Sequence, residues 1–384
     1  MKVLFVINNM TIGGTRSSLV NFITYLSNTH KEIEIDLFLL SKTGEYLSRI
    51  PSNVKVLSGD RWTSCSFKSS RDLTIVEKID RALLGAAKRV FGHEKVLSAV
   101  FDKNIKSKVE KEYDVVVGFQ EGLSNDFAVR VPAQKKVLWI HNNFENLDTL
   151  SRGFYKSYEK ADAIVFVAEA SKKSFEKQYP EFANKMKLIR NVILQDDIRK
   201  RANQPVIDGF QTQKDGTIKL ISVGRIAPQK AFDRVILTAQ ELTNRKINFE
   251  WIVVGDGPDF AELKKKTAES GLEQNLRFVG GKENPYPYMK QADLLVLSSI
   301  YEAQPMVIIE ALTIGTPVMS TKFASASELL GEKEYGVMVE NTPEGVVAGV
   351  CELCEHRDKI NLMKNKTQDF VYDNEMIVNE FLEL

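Results

Sequence analysis

Short apolar runs, dense in Val, Ile and Leu, alternate along the chain with amphipathic segments. Runs without polar alternation suit strands buried on both faces, as in a parallel sheet covered by helices. In the first half they predict strands near Val3–Ile7, Ile33–Leu40, Val54–Leu57, Asp114–Phe119, Lys136–Ile140, Ala163–Val167 and Lys187–Ile189. Helical segments separate most of them, so right-handed crossovers build one doubly wound α/β layer structure. A polar stretch, Asp196 to Gly216, lacks sustained periodicity and carries two glycines and a proline. It reads as a linker between domains. The pattern then restarts, with strands expected near Ile218–Val223, Phe249–Val254, Leu276–Val279, Asp293–Leu297, Pro317–Ser320 and Gly336–Val339. Lys359 to Leu384 reads helical. The expectation is two Rossmann-like halves facing one another: residues 1–195, a linker at 196–216, and residues 217–384.

Length and composition agree with two soluble globular domains: 384 residues, of which 43% are hydrophobic and 27% charged. Lys and Arg number 52 against 51 Asp and Glu, a formal net charge of +1. That balance argues against wholesale nucleic-acid binding, which needs a basic domain. Three cysteines, Cys65, Cys351 and Cys354, cannot form a disulfide framework and suit a reducing compartment. Cys351 and Cys354 form a lone C-x-x-C late in a helical stretch, with only His356 nearby as a further metal ligand, so both thiols read as structural. The apolar run Val3–Ile7 is too short for a signal peptide, and no stretch approaches the roughly 18 apolar residues of a membrane span. A cytoplasmic protein is expected, peripheral on a membrane at most.

Arg61 to Lys111 departs from the strand–helix rhythm. It holds twelve Lys/Arg against six Asp/Glu, a local net of +6. Apolar residues recur through it, among them Ile75, Ile79, Leu83, Leu84, Val90 and Phe91. One reading is a helical insertion packed on its own domain with a solvated charged face. The other is a surface that meets anionic lipid or an acceptor diphosphate.

Candidate chemistry gathers where strands end, the edge at which open α/β sheets bind ligands. Gly13 and Gly14 follow the first strand, and a helix beginning near Thr15 would aim its N–H groups at an anion; steric need is the alternative reason for these glycines. His141 follows the strand Lys136–Ile140 in the run Trp139–Asn143, placed either to bond a sugar hydroxyl or to cap the strand end. Gly224-Arg225 and Lys230 follow the first strand of the second half, two cations around a loop that suit a diphosphate without a metal. Gly255-Asp256-Gly257 invites a dinucleotide reading, but Phe260 stands where the third glycine would be. From Ser298 to Thr321, Pro305 opens a helix preceded by Glu302 and carrying Glu310 eight positions later. This offers a helix N-terminus for a phosphate and two carboxylates able to accept from sugar or ribose hydroxyls; a solvated loop acid and a surface helix acid are the plainer alternatives.

Taken in order, VGRIAPQK, VVGDGP, LRFVGG, the Glu302-x7-Glu310 pair and GTPV at Gly315–Val318 resemble glycosyltransferase family 4 of the GT-B fold, over nearly the whole chain and most strongly from Ile218 to Val339. The resemblance implies two doubly wound Rossmann-like domains facing a central cleft, the first for the acceptor and the second for the nucleotide sugar. It implies transfer of a sugar from a nucleotide diphosphate sugar, a UDP-sugar favoured, to a glycan or polyprenyl-diphosphate-linked acceptor with retention of configuration. Bacterial surface-polysaccharide assembly is the implied setting, such as capsule or lipopolysaccharide. No metal or other cofactor is expected. Arg225 and Lys230 match the pair facing the donor diphosphate, Glu310 the acid on the ribose, Glu302 the acid near the donor sugar, and His141 the active-site histidine. Gln304, Pro305, Met306 and Val307 match the backbone that holds sugar and phosphate. Val279 and Gly280 match the base-lining loop, Gly224 the loop carrying Arg225, and Gly13 and Gly14 the glycine loop. The last helix, about 370–384, is a candidate to pack back on the first domain. Ala231 and Ala303 stand where the family has glycine, and Arg16 where an acid often follows the glycine loop. Two other classes stay open: a non-catalytic GT-B partner of another transferase, and a sugar-nucleotide epimerase.

Overall fold

A computed structural model of the chain describes residues 1–68, 70, 73–142, 155–211, 216–331 and 334–384. The chain divides into two compact units. The first comprises Met1–Val192 with Asn374–Leu384, and the second Ile193–Asp373.

The first unit is built on a seven-stranded parallel sheet of order β3-β2-β1-β4-β5-β6-β7. Its strands are β1 (Lys2–Ile7), β2 (Glu34–Leu39), β3 (Lys55–Ser58), β4 (Tyr113–Gly118), β5 (Ala133–Ile140), β6 (Ala163–Phe166) and β7 (Met186–Leu188). The second unit carries a six-stranded parallel sheet of order β10-β9-β8-β11-β12-β13. Its strands are β8 (Ile218–Val223), β9 (Phe249–Val254), β10 (Leu276–Phe278), β11 (Leu294–Leu297), β12 (Val318–Thr321) and β13 (Gly336–Val339). Each falls on an apolar run read from the sequence, within a few residues at its ends. The runs are predominantly apolar because both faces are covered: Val3 to Ile7 are each fully buried.

Strand order fixes where a ligand can enter. In the first sheet the winding reverses between β1 and β4, and in the second between β8 and β11. Loops leaving the carboxyl ends of two such neighbours turn to opposite faces and leave a crevice between them. These are the loops that hold Gly13 and Gly14 in the first unit, and Lys230 and Glu302 in the second.

The stretch expected as a linker is not one. The second unit already begins at Ile193, and Gln195–Arg201 is a helix. Ile198 and Ala202 are buried in the same core cluster as Ile308, Ile309 and Leu312. A helix of seven residues, about two turns, with two buried apolar residues is too short to declare a period, which is why its polar residues dominate the reading. Residues 212–215 of that stretch lie outside the described residues.

The terminal segment is divided in a similar way. The helix Arg357–Lys366 stays with the second unit, and the helix Asn374–Leu382 belongs to the first. There Phe381 meets Phe5, Phe22 and Trp139, with ring centroids 6.1, 5.2 and 5.9 Å away.

The basic insertion folds as helices Arg61–Cys65, Ile75–Phe91 and His93–Lys108. Leu97, Phe101 and Ile105 of the last join the main core of the first unit. In the middle helix only Leu84 of the recurring apolar residues is buried; Ile75, Ile79, Leu83, Val90 and Phe91 face outward.

Candidate functional site

In the second unit, the loops after β8, β9 and β10 lie against one another backbone to backbone. The Ile226 N–H donates to the Asp256 carbonyl at 2.9 Å, and the Gly255 N–H to the Gly280 carbonyl at 3.0 Å. A Cβ on Gly255 would stand 1.9 Å from the Gly224 carbonyl oxygen, and one on Gly257 2.1 Å from that of Ile226. The glycines of Gly255-Asp256-Gly257 are therefore demanded by loop packing, which accounts for them without a dinucleotide. Gly280 adopts φ +78°, open to glycine at no steric cost. Val279 continues β10 by donating to the Val253 carbonyl at 3.0 Å.

That packing positions the loop Gly224–Ala231. Its 3-10 turn Pro228–Lys230 is closed by Ala231 at φ 49°, ψ 48°. A left-handed alanine costs about 1–2 kcal/mol, which explains why glycine suits this position better. The Lys230 side chain runs beside Gly224; a Cβ there would lie 3.6 Å from Nζ. Its ammonium forms an ion pair with Glu302, in the loop after β11. Both side chains are largely shielded, 18% and 11% exposed. Glu302 also accepts from the Ser299 hydroxyl at 2.7 Å, and its backbone carbonyl accepts from Ser325 Oγ at 2.8 Å. Ser298 Oγ donates to the Lys230 carbonyl at 2.8 Å, and the Ile300 N–H to the Gln229 carbonyl at 2.8 Å. With Gln229 Nε2 donating to the Tyr301 carbonyl at 2.6 Å, the two loops at the switch point are tied to each other at four places. Arg225 is exposed and, among the described residues, has no hydrogen-bond or ion-pair partner. The loops therefore present one unpaired cation and one cation already paired with a carboxylate.

The helix Met306–Thr313 starts from Pro305 with no side-chain cap. Its entry is tightened by turns, the Met306 N–H donating to the Gln304 carbonyl at 2.9 Å and the Ile308 N–H to that of Pro305 at 3.0 Å. The helix N-terminus is consequently less free than the sequence suggests. Gln304 Nε2 is held by Tyr372 Oη at 3.0 Å. Val307 is buried, whereas Glu310 is half-buried and accepts from Tyr286 Oη at 3.2 Å. Tyr286 lies under the Arg201 guanidinium, 4.9 Å from ring centroid to Cζ. Tyr286 and Arg201 come from distant elements and are not legible as neighbours of Glu310 in the sequence.

The first unit gathers a second group of residues at its own switch point. Gly13 caps the helix Gly14–Thr29, and none of the described residues lies within 4 Å of a Cβ built on Gly13 or Gly14. Crowding does not require these glycines; the backbone there is open to approach. Arg16, on the first turn of the helix, donates to Asn9 Oδ1 at 3.3 Å while its Nε is buried without a partner among the described residues. Burial lowers the pKa of its guanidinium, and Glu121 offsets this in part. Ser124 Oγ bridges to Asn8 Oδ1 at 2.8 Å, joining the loops after β4 and β1.

His141 leaves β5 with its ring against Phe119, centroids 4.7 Å apart, and is 7% exposed. Its pKa is pushed down to about 3, first by burial and then by the Arg16 charge, against a backbone hydrogen bond with Phe119. The imidazole is thus neutral near pH 7, and Nε2 is buried with no partner among the described residues. Glu121 fixes this loop: it accepts from the His141 N–H at 3.1 Å and from the Asn142 side chain. Glu121 is the residue that the sequence reading missed, although it follows β4 at the same edge. Asn143, which completes the run beginning at Trp139, lies outside the described residues.

Residues 204–370 match the family described as "Glycosyl transferases group 1". The chain is similar to the N-acetylgalactosamine-N,N'-diacetylbacillosaminyl-diphospho-undecaprenol 4-alpha-N-acetylgalactosaminyltransferase of Campylobacter jejuni, 26% identical over 64% of this chain and 66% of that protein. It is also similar to the lipopolysaccharide core biosynthesis glycosyltransferase LpsD of Rhizobium meliloti, 26% identical over 48% of this chain and 54% of the other. The matches span between about half and two thirds of the curated relatives' lengths. Among solved structures, Anabaena HepE in complex with UDP superposes with a TM-score of 0.70 at 17% identity, covering 100% of this chain and 99% of that one. The likeness shows the fold, a pair of parallel-sheet Rossmann-like domains of the GT-B class.

Proposed function

We propose, from the premise that residues 204–370 form a glycosyl transferases group 1 domain, that this protein is a retaining glycosyltransferase. It moves a sugar from a nucleotide diphosphate sugar, a UDP-sugar favoured, to a glycan or polyprenyl-diphosphate-linked acceptor in bacterial surface-polysaccharide assembly. The observation that carries the reading is the Lys230–Glu302 pair at the switch point of the second sheet, on a loop shared with the exposed Arg225, which has no partner among the described residues. Departure of a nucleoside diphosphate develops negative charge on phosphate oxygens. Preplaced cations in a shielded site stabilise that charge more than they stabilise the ground state. Arg225 is free to turn to the phosphates, and Lys230 can share its ammonium between phosphate and Glu302. Glu302, so held, faces the donor sugar, and Glu310 accepts from the ribose hydroxyls. Neutral His141 accepts a hydrogen bond from a sugar hydroxyl through Nε2.

No metal enters this scheme, the charge being met by side chains. A relative named for a diphospho-undecaprenol substrate and another for lipopolysaccharide core support an acceptor carried on lipid, and hence a site of action at the inner face of the cell membrane. The test is a panel of nucleotide sugars with lipid-linked and soluble glycan acceptors, run with and without a chelator. A glycosylated product of retained configuration, formed equally with chelator, is the expected result. An isomerised free sugar would point to an epimerase instead, and no turnover with any donor to a non-catalytic partner.

A further inference from the structure

The helix Ile75–Phe91 is built inside out. Its buried residues are Glu77, Asp80 and Leu84. Its outer surface carries Ile75, Val76, Ile79, Leu83, Val90 and, in the last turn, Phe91, each 48–78% exposed. At 100° per residue the first five fall in one sector roughly 100° wide. These six are among only fifteen large apolar side chains that stand exposed in the described residues. Scattered exposed apolar residues need no explanation, but a continuous stripe of them marks an interaction surface.

The acids of this helix are disposed in the opposite sense. Glu77 completes a capping box with Thr74 and pairs with Lys68 at 2.5 Å. Asp80 pairs with Arg61, also at 2.5 Å. Both carboxylates are therefore turned inward and neutralised. The cations Lys78 and Arg89 stay exposed, on one flank of the apolar sector. The outer surface of the helix is thus apolar and cationic, with no carboxylate of its own.

We propose that the helix Ile75–Phe91 docks the protein on an anionic lipid bilayer. The apolar stripe sinks to the boundary of the acyl chains and Lys78 and Arg89 meet the headgroups. Charge selects the bilayer over a second copy of the chain. A two-fold pairing of this face would bring Lys78 and Arg89 against their own copies, within an insertion of net charge +6. The inference deepens the membrane side of the proposed function but stands on this helix alone. Vesicle binding needs neither donor nor acceptor, so its failure and the failure of sugar transfer are separate results.

The test is cosedimentation of the full chain with phosphatidylcholine vesicles, with and without phosphatidylglycerol. Wild type is expected to partition onto the vesicles containing phosphatidylglycerol. The variant Ile75→Ser/Ile79→Ser/Leu83→Ser should lose about tenfold or more of that partition at an unchanged thermal midpoint, since all three side chains are already in water. Ile79→Glu alone should do the same, and serves if the triple variant misfolds. Lys78→Gln/Arg89→Gln should reduce binding only where phosphatidylglycerol is present. Absence of wild-type binding to the anionic vesicles, or binding by the stripe variants equal to wild type, overturns the proposal. A dimer in sedimentation velocity that the stripe variants abolish overturns it too, because the stripe is then covered by a second copy.

Discussion

The Lys230 ammonium and the Glu302 carboxylate meet across the point where the second sheet reverses its winding. They leave different strands, 72 residues apart, and each belongs to a loop pinned to the other through Ser298 and Ile300. The pair has two separable effects. It stabilises the loops, and under the proposed function it holds a cation where phosphate charge would develop. Lys230→Ala should leave Glu302 shielded and unpaired, costing about 1–3 kcal/mol, below the value for a fully buried pair because both groups keep some solvent. Transfer should fall by about a hundredfold or more. The double variant Lys230→Met/Glu302→Gln separates the two: urea denaturation should return towards the wild-type midpoint, while product formation stays low. Recovery of activity along with stability would show the pair to be purely structural.

His141 carries a pH signature. Its folded pKa, about 3, lies well below the ordinary histidine value near 6.5. The unfolded chain therefore binds the proton first, and the neutral buried ring stabilises the fold fully above pH 6.5. That contribution is lost as pH falls through 6.5 towards 3, by up to about 1.4 kcal/mol per pH unit. His141→Gln should flatten the slope of unfolding free energy between pH 6.5 and 5, where most carboxylates are still ionised. Equal slopes in wild type and variant would mean that the ring is solvated.

The layout of strands was legible because burial on both faces leaves mostly apolar runs, unbroken at Val3–Ile7 and, after the buried Glu250, at residues 251–254. Site loops were legible where a glycine or a charge directly follows such a run, as at Gly224-Arg225 and His141. Glu121 was not, because its importance lies in holding the His141 N–H and Asn142, contacts made only when β4 and β5 are side by side. The pairing of Lys230 with Glu302 was hidden for the same reason. The helix Ile75–Phe91 shows another limit. Periodicity reveals that a helix has an apolar face; it does not say that this face is the buried one, and here Glu77 and Asp80 are inside.

Glu310 accepts from Tyr286 Oη at 3.2 Å, and that phenol in turn lies beneath Arg201. If Glu310 receives the ribose hydroxyls, Glu310→Ala should weaken UDP binding by about 10- to 100-fold, the loss of charged hydrogen bonds. Tyr286→Phe removes only the phenolic donor that orients the carboxylate, so its effect should be smaller, within about tenfold. Calorimetric titration with UDP distinguishes them. Binding by Glu310→Ala equal to wild type would remove Glu310 from the nucleotide site while leaving the Lys230–Glu302 argument intact.

Phe381, near the end of the chain, belongs to the core of the first unit and not to that of the second. Its ring meets Phe22 edge-on at 5.2 Å and stands near Phe5 and Trp139. Trp139 stacks on Phe119 at 5.0 Å, and Phe119 in turn supports His141. The helix Asn374–Leu382 therefore closes an aromatic cluster whose far side is the histidine. Phe381→Ala should destabilise the first unit by about 3–5 kcal/mol, the usual cost of a phenyl-sized cavity. Asn379→Ala, exposed on the same helix, should change stability by no more than about 0.5 kcal/mol. Urea unfolding followed by tryptophan fluorescence reads both, since Trp139 lies in the affected cluster. The same Phe381→Ala variant should lower transfer beyond what its folded fraction accounts for, because loosening Phe119 releases the wall that fixes His141. Loss of stability with full activity per folded molecule would confine this helix to a structural part.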